Sequence, residues 1–242
     1  MISINDLTKR FGRLTALENV NLELHAGKTY AFIGPNGSGK TTLIKSILGL
    51  VIPTSGEILV NHKVIRNDWK YRENIGYMPQ IGHYPDNMRV GQLFDMMKNI
   101  RATITKTDEE LIDAFKLYKI FDKQMHSLSG GTRQKVSASL AFLFSPPAFI
   151  LDEPTAGLDP VSVEILKDKI LQEKRRGKMF LISSHILNDL DELATDIIYM
   201  FEGTVHYNNT LQSLKEETNE VKLTKAIATF IRQKELLDSI SE

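Results

Sequence analysis

The chain has 242 residues, room for one large α/β domain with an inserted subdomain, and its 30 basic residues cancel 30 acidic ones. That balance leaves no basic footprint for nucleic acid, and the absence of cysteine excludes a disulfide framework and thiolate metal sites. The opening MISINDLTKRFG has no signal-peptide core, and no apolar run approaches the roughly 20 residues that span a bilayer.

Short strands are expected first. Ile2–Leu7, Asn19–Leu24 and Glu57–Val60 have strand content, with turn signals at Gly12, Ala26-Gly27 and Thr54-Ser55-Gly56. Thr29–Ile33 (TYAFI) reads as a buried strand running into a glycine-rich loop. Beyond the loop, Leu43, Ile44, Ile47 and Leu48 recur at helical spacing and Gly49 suits the stop. From Ile81 to Phe144 the pattern turns helical, over Val90–Ile100, Thr107–Tyr118 and Arg133–Phe144. A strand at Ala148–Leu151 follows, then a helix started by Asp159-Pro160, with Val161, Ile165 and Leu166 on one side and a stop at Gly177. Met179–Ile182 is another buried strand. From Asn209 a polar, helical extension is expected, with Leu223, Ala226, Ile227 and Phe230 on one face. Alternating strands and helices point to a mainly parallel sheet.

Three stretches carry chemistry. GPNGSGKT at 34–41 fits G-x-x-x-x-G-K-[ST] without a mismatch. Glycines at 34, 37 and 39 let backbone N–H groups converge on an anion, and the following helix adds its positive end. Lys40 can reach the β- and γ-phosphates, and the Thr41 hydroxyl can ligate Mg²⁺. An ordinary glycine turn matches such a motif by chance, but not between an apolar strand and an amphipathic helix. The loop is expected to bind a nucleoside triphosphate.

AFILDEP at 148–154 places Asp152 and Glu153 at the C-terminal end of a buried strand, where ligands sit in open α/β sheets. There Asp152 suits a magnesium ion held through water, and Glu153 a general base that polarises the attacking water. Solvated loop acids are the plainer alternative. LSGGTRQK at 128–135 is a second glycine-rich segment opening a helix: either a bland helix start or a contact to a different nucleotide. His185 and Gln80 are unremarkable by position alone. Phe11, beside Gly12, suits either the core or the face of an adenine ring.

Phosphate loop 34–42, LSGGTRQK, ILDEP 150–154, AGLDP 156–160 and His185 stand in an order and spacing that resemble ATP-binding cassette (ABC) ATPases from residue 1 to about 208. The resemblance implies a P-loop NTPase core with a mainly parallel sheet, an N-terminal antiparallel β subdomain and an inserted α-helical subdomain. It divides the chain into a cassette at 1–208 (core 1–80 and 145–208, helical insertion 81–144) and a C-terminal extension at 209–242. It implies ATP and Mg²⁺ as ligands. Phe11 falls where an aromatic stacks on adenine, with Ala16 near the same base. Asn36, Gly37, Ser38, Gly39, Lys40, Thr41 and Thr42 hold the phosphates, while Thr41, Gln80 and Asp152 serve the metal. Glu153 matches the catalytic base, Gln80 the glutamine that touches the attacking water, and His185 the switch histidine on the γ-phosphate. Asp159 matches the loop that couples two sites.

The same resemblance implies that two chains pack head-to-tail. Ser129 and the N–H of Gly131 would then ligate the γ-phosphate bound to the partner's 34–41 loop. It also implies a membrane permease docking near Gln80–Ile100, no nucleic-acid partner, and a place on the cytoplasmic face of the membrane. There Tyr84, Met88, Phe94, Met96 and Met97 either line a groove or, for the last three, fill the core of the insertion. The chain, including YMPQIGHYPDNM, is further similar to the ATPase subunit of the copper-handling transporter that matures nitrous oxide reductase. Thr132 stands where glutamine is usual, Lys135 where arginine is common, and Phe11 where tyrosine is commoner. Thr132 lies past the two groups assigned to the phosphate, so weakened tuning is expected, not lost chemistry. Soluble relatives acting on ribosomes or DNA fit less well, because there is one cassette, no coiled coil and no net charge. A non-hydrolysing regulatory cassette is opposed by Lys40, Asp152, Glu153 and His185.

Overall fold

The computed structural model describes residues 1–104 and 106–240, so the last two residues of the expected 209–242 extension lie outside the described residues. In chain order it forms β1 (Ile2–Phe11), β2 (Leu14–Leu24), β3 (Thr29–Ile33), α1 (Lys40–Ile47), β4 (Ser55–Val60), β5 (Lys63–Val64) and β6 (Ile75–Met78). Then come α2 (Val90–Ile100), α3 (Glu110–Ala114), α4 (Gly130–Phe142), β7 (Ala148–Asp152), α5 (Pro160–Arg175) and β8 (Met179–Ser183). The chain continues through α6 (Leu187–Leu193), β9 (Asp196–Phe201), β10 (Thr204–Thr210), α7 (Leu211–Thr218) and α8 (Leu223–Ile240). Two compact units result: Met1–Trp69 with Leu181 onward, and Lys70–Phe180, with β8 carrying the chain from the second back to the first.

In the first unit β1 pairs antiparallel with both β2 and β4, and β4 with β5. Ile2, Ile4 and Leu7 of β1 are buried with Leu17, Val20, Leu22 and Leu24 of β2, the alternation a one-sided sheet demands. All five residues of β3 are buried, and it runs parallel to β9 from Tyr30↔Asp196 to Ile33↔Tyr199, with β10 antiparallel on β9. A strand covered on both faces reads as a continuous apolar run, as TYAFI does. Thr210 caps α7 by accepting from the Ser213 N–H at 3.0 Å. In α8, Leu223, Ala226, Ile227 and Phe230 are buried as expected, and Phe230 meets Tyr199 and Tyr207 edge to face at 5.9 and 5.1 Å.

The second unit pairs β6 with β7 in parallel, from Ile75↔Ala148 to Met78↔Leu151. It contains the whole of 81–144 together with β7 and α5. Val90, Leu93, Phe94, Ile112, Leu117, Met125, Val136 and Leu143 make a core there, with Tyr84, Met88, Met96 and Met97 packed against it. Phe94 is thus a core residue, and the methionines act as packing. Two helical expectations change. Thr107–Tyr118 is not one helix: α3 ends at Ala114, and Lys116 takes a left-handed φ of 56° before a 3-10 turn at Leu117–Ile120. In α5, capped by Asp159 and ended before Gly177 as expected, Val161 lies exposed while Leu166 and Ile170 are buried. The first turn buries Ser162 in place of Val161, and the buried apolar stripe starts at Leu166.

The same helix carries an ionic cluster. Lys169, whose side chain is 1% exposed, meets Asp108 and Glu110 at 2.7 Å each and Glu173 at 3.2 Å; Lys178 and Arg176 also meet Glu173. Burial alone would lower the Lys169 pKa, but the bonds from Asp108 and Glu110 outweigh it and raise it. For Glu173 burial pulls upward, and Lys178 and Lys169 win, holding the carboxyl below its ordinary value.

Candidate functional site

In the first unit, β3 delivers the glycine-rich loop directly to the start of α1. Gly34, Gly37 and Gly39 have φ values of 156°, 81° and 103°. Two of them are also sterically required. A Cβ on Gly34 would sit 2.1 Å from the Met200 carbonyl oxygen, and one on Gly39 would sit 2.6 Å from the Ala16 carbonyl oxygen. The loop is therefore clamped by backbone, with N–H groups of its turns and of the first turn of α1 available to an anion. Lys40 Nζ donates to the carbonyls of Gly34 at 2.6 Å and Pro35 at 2.9 Å, lying along the loop it would share with phosphates. Asn36 and Gly37 are exposed, Ser38 is buried, Thr41 is exposed and Thr42 half-buried. Ala16 lies against this loop through its carbonyl. Phe11 is 48% exposed with Lys9 Nζ 4.8 Å above its ring, so it is a surface aromatic and not a core one. His185 is exposed in the bend between β8 and α6.

In the second unit, β7 ends on Asp152 and Glu153 follows it directly, 8% and 7% exposed. They are not the solvated acids of the plainer reading. Glu153 takes φ 52°, a left-handed backbone costly for a non-glycine residue. Tyr77 of β6 is half-buried, and burial, reinforced by the Asp152 charge, pushes its hydroxyl up to about 12. Gln80 is exposed two residues past the end of β6.

The signature stretch is a helix start. Ser129 caps α4, its Oγ accepting the Thr132 N–H at 3.3 Å. Three contacts fasten this turn to the segment after β7. A Cβ on Gly131 would lie 2.5 Å from the Gly157 carbonyl oxygen, so only glycine fits there. The buried Gln134 donates through Nε2 to the Glu153 carbonyl at 3.3 Å. Lys135 Nζ meets Asp159 Oδ2 at 2.7 Å. Bonds from Lys135 and from Ser162 hold the Asp159 carboxyl well below the ordinary range. Asp159 is thus both the cap of α5 and the ion-pair partner of the signature helix. Sequence reasoning missed Gln134 altogether, because it stands between Arg133 and Lys135 and the local pattern reads as a solvent-facing turn.

Among the described residues no three His, Asp or Glu side chains converge as a metal cage. Magnesium takes most of its ligands from phosphates and water and needs only one or two protein oxygens, a demand that the Asp152 carboxylate at the end of β7 suits.

Residues 17–156 match the ABC transporter family. The chain is 34% identical over 208 residues to the lantibiotic transport ATP-binding protein SrtF of Streptococcus pyogenes, covering 85% of this chain and 89% of that protein. It is 30% identical to the ABC-type transporter ATP-binding protein EcsA of Bacillus subtilis over 90% of each chain. The ATP-binding subunit of an ABC transporter superposes with a TM-score of 0.85 at 26% identity, covering 94% of this chain and 98% of that one. A dimeric ATP-binding cassette in a post-hydrolysis state with ADP and Pi shares the fold, with a TM-score of 0.75 at 24% identity over 87% of this chain and 99% of that one. The phosphate loop, the acid pair and the capped signature turn, with these similarities, make the chain a member of the ABC transporter family, an ATP-hydrolysing subunit.

Proposed function

We propose that this cassette binds Mg-ATP on residues 34–42, hydrolyses it with Glu153 as general base, and pairs head-to-tail with a second copy to drive a membrane permease. The observation that carries the reading is the phosphate loop, whose glycines 34 and 39 admit no side chain because the Met200 and Ala16 carbonyls lie against them. Phe11 supplies an exposed ring for the base, with Ala16 beside the loop. Lys40, Asn36, Gly37, Ser38, Gly39, Thr41 and Thr42 hold the phosphates. Thr41, Asp152 and Gln80 would hold the metal, which when bound neutralises the charge developing on the phosphate oxygens. His185 contacts the γ-phosphate, and Glu153 takes the proton of the attacking water. Ser129 and Gly131 address the ATP of the partner copy, and Asp159 ties that contact to the segment carrying Glu153.

Lys40→Ala should weaken ATP binding about 10- to 100-fold, the worth of one or two charge-assisted hydrogen bonds. Titration with a fluorescent ATP analogue measures it, and undiminished affinity would remove Lys40 from the site. The permease is placed at Gln80–Ile100, on the cytoplasmic side. Because Tyr84, Met88, Met96 and Met97 pack inward, the apolar side chains left for a partner are Ile81, 66% exposed, and Ile100, 68% exposed. Ile81→Asp should lose co-purification with a membrane-spanning protein from detergent extract while ATP affinity stays native. Unchanged co-purification would place the docking surface elsewhere. The chain, residues 77–88 included, is similar to a copper-handling ATPase subunit, and the cargo is to be read from the identity of that co-purified protein.

A further inference from the structure

Thr132 departs from the glutamine expected in the signature stretch, and its surroundings show what the departure does. Its Oγ1 lies 2.8 Å from Ser129 Oγ, with either atom able to donate. Ser129 Oγ also accepts the Thr132 N–H at 3.3 Å. A hydroxyl has one proton and two lone pairs. The backbone N–H occupies one lone pair of Ser129. If Thr132 donates, the second is filled as well, and the Ser129 proton must point away from the helix. If Ser129 donates to Thr132 instead, no proton is left for a ligand. An approaching phosphate oxygen, which can only accept, selects the first arrangement.

We propose that Thr132 is a positioning residue: its hydroxyl holds Ser129 as a pure donor toward the terminal phosphate of an ATP carried by a second copy of this chain. The geometry favours the role in two further ways. Thr132 is β-branched and half-buried on the first turn of α4, so its χ1 choices are few and its Oγ1 is held toward the residue three positions back. Ser129 is exposed, so a mobile serine at this position would spend its proton on water. The consequence is a preference for a triphosphate, because the γ-phosphate is a charged acceptor and a stronger one than the water it displaces from the oriented proton.

The inference rests on the reading that Ser129 contacts the partner's ATP, and the test separates the two. In a Glu153→Gln background, the ATP concentration that half-saturates dimerisation is measured by sedimentation, alongside ATP affinity of the dilute monomer. Thr132→Val keeps the shape and the helix but loses the hydroxyl. It should raise the half-saturating ATP concentration about fivefold to tenfold, the worth of one hydrogen bond between neutral groups, with monomer affinity unchanged. Thr132→Ser should restore the native value. Ser129→Ala is the control on the underlying reading: if it leaves dimerisation untouched, the partner contact itself is wrong. If Ser129→Ala impairs dimerisation and Thr132→Val does not, the contact stands and the positioning role is overturned. Failure of Thr132→Ser to rescue, or an equal loss of monomer affinity in Thr132→Val, would make Thr132 a packing residue and overturn it too.

Discussion

Glu153→Gln should retain ATP and stop turning it over. The amide keeps the shape and an acceptor oxygen but lacks basicity, and removing a general base costs about 10²- to 10⁴-fold in rate. The backbone here is left-handed at φ 52°, and glutamine meets the same steric terms there as glutamate, so the fold should survive. With hydrolysis blocked, the proposed head-to-tail pairing predicts that the γ-phosphate persists between two cassettes and that the dimer accumulates. Phosphate release under saturating Mg-ATP gives the rate, and gel filtration with and without ATP gives the association. A rate within a few-fold of native would remove Glu153 as the base. A monomer in saturating Mg-ATP would count against the shared site, leaving the loop and the acid pair to act within one chain.

Lys169→Met has the largest expected effect on stability. The native ammonium is buried among Asp108, Glu110 and Glu173, and Glu173 itself is 1% exposed. Taking away one partner of a buried ion pair typically costs about 3–5 kcal/mol, because the charge left behind is poorly compensated. Here Lys178 and Arg176 still reach Glu173, so the low end of that range is expected. Denaturant unfolding of the native and variant chains measures the difference. The pH dependence has a fixed sign. Glu173 is held below its ordinary value of 4.5, so its contribution is present above that pH and fades as the pH falls through the depressed value. The gap between native and variant should therefore be widest near neutrality and narrow in acid. A gap that is flat with pH would mean that lost packing, not charge, is what the substitution removes. Because Asp108 and Glu110 lie at the start of α3 and Lys169 on α5, the same variant loosens the helical insertion from β7's following helix within the second unit.

The phosphate loop was legible because every part of it is local. The strand before it, the glycines and the amphipathic helix after it follow within a few residues, and each follows from backbone sterics or apolar period. Asp159-Pro160 as a helix start and Gly177 as a stop were legible for the same reason, and so was the buried face of α8. Short elements were not. IGYM at β6 is four residues long, too short for a period to speak, and becomes a strand only because β7 pairs with it. The break at Lys116 and the exposure of Val161 likewise depend on which neighbours cover a turn, not on the turn itself.

The roles in the signature stretch divide along the same line. The order of LSGGTRQK, ILDEP and AGLDP identifies the family, since those residue types at that spacing serve phosphate chemistry wherever the chain folds. What Gly131, Gln134 and Lys135 do was decided only in three dimensions. Their partners, Gly157, Glu153 and Asp159, lie in a different segment, reached through the helix α4 and the strand β7, and no local rule pairs them. Thr132 is the exception that spans both levels. Its bond to Ser129 is only three residues away, within one helical turn, yet a threonine there reads as a weakened signature until the two hydroxyls are seen to meet. Sequence determines which groups are available and at what local pitch. Tertiary structure decides which distant group each one faces, because burial removes water as the competing partner and leaves one neighbour in reach.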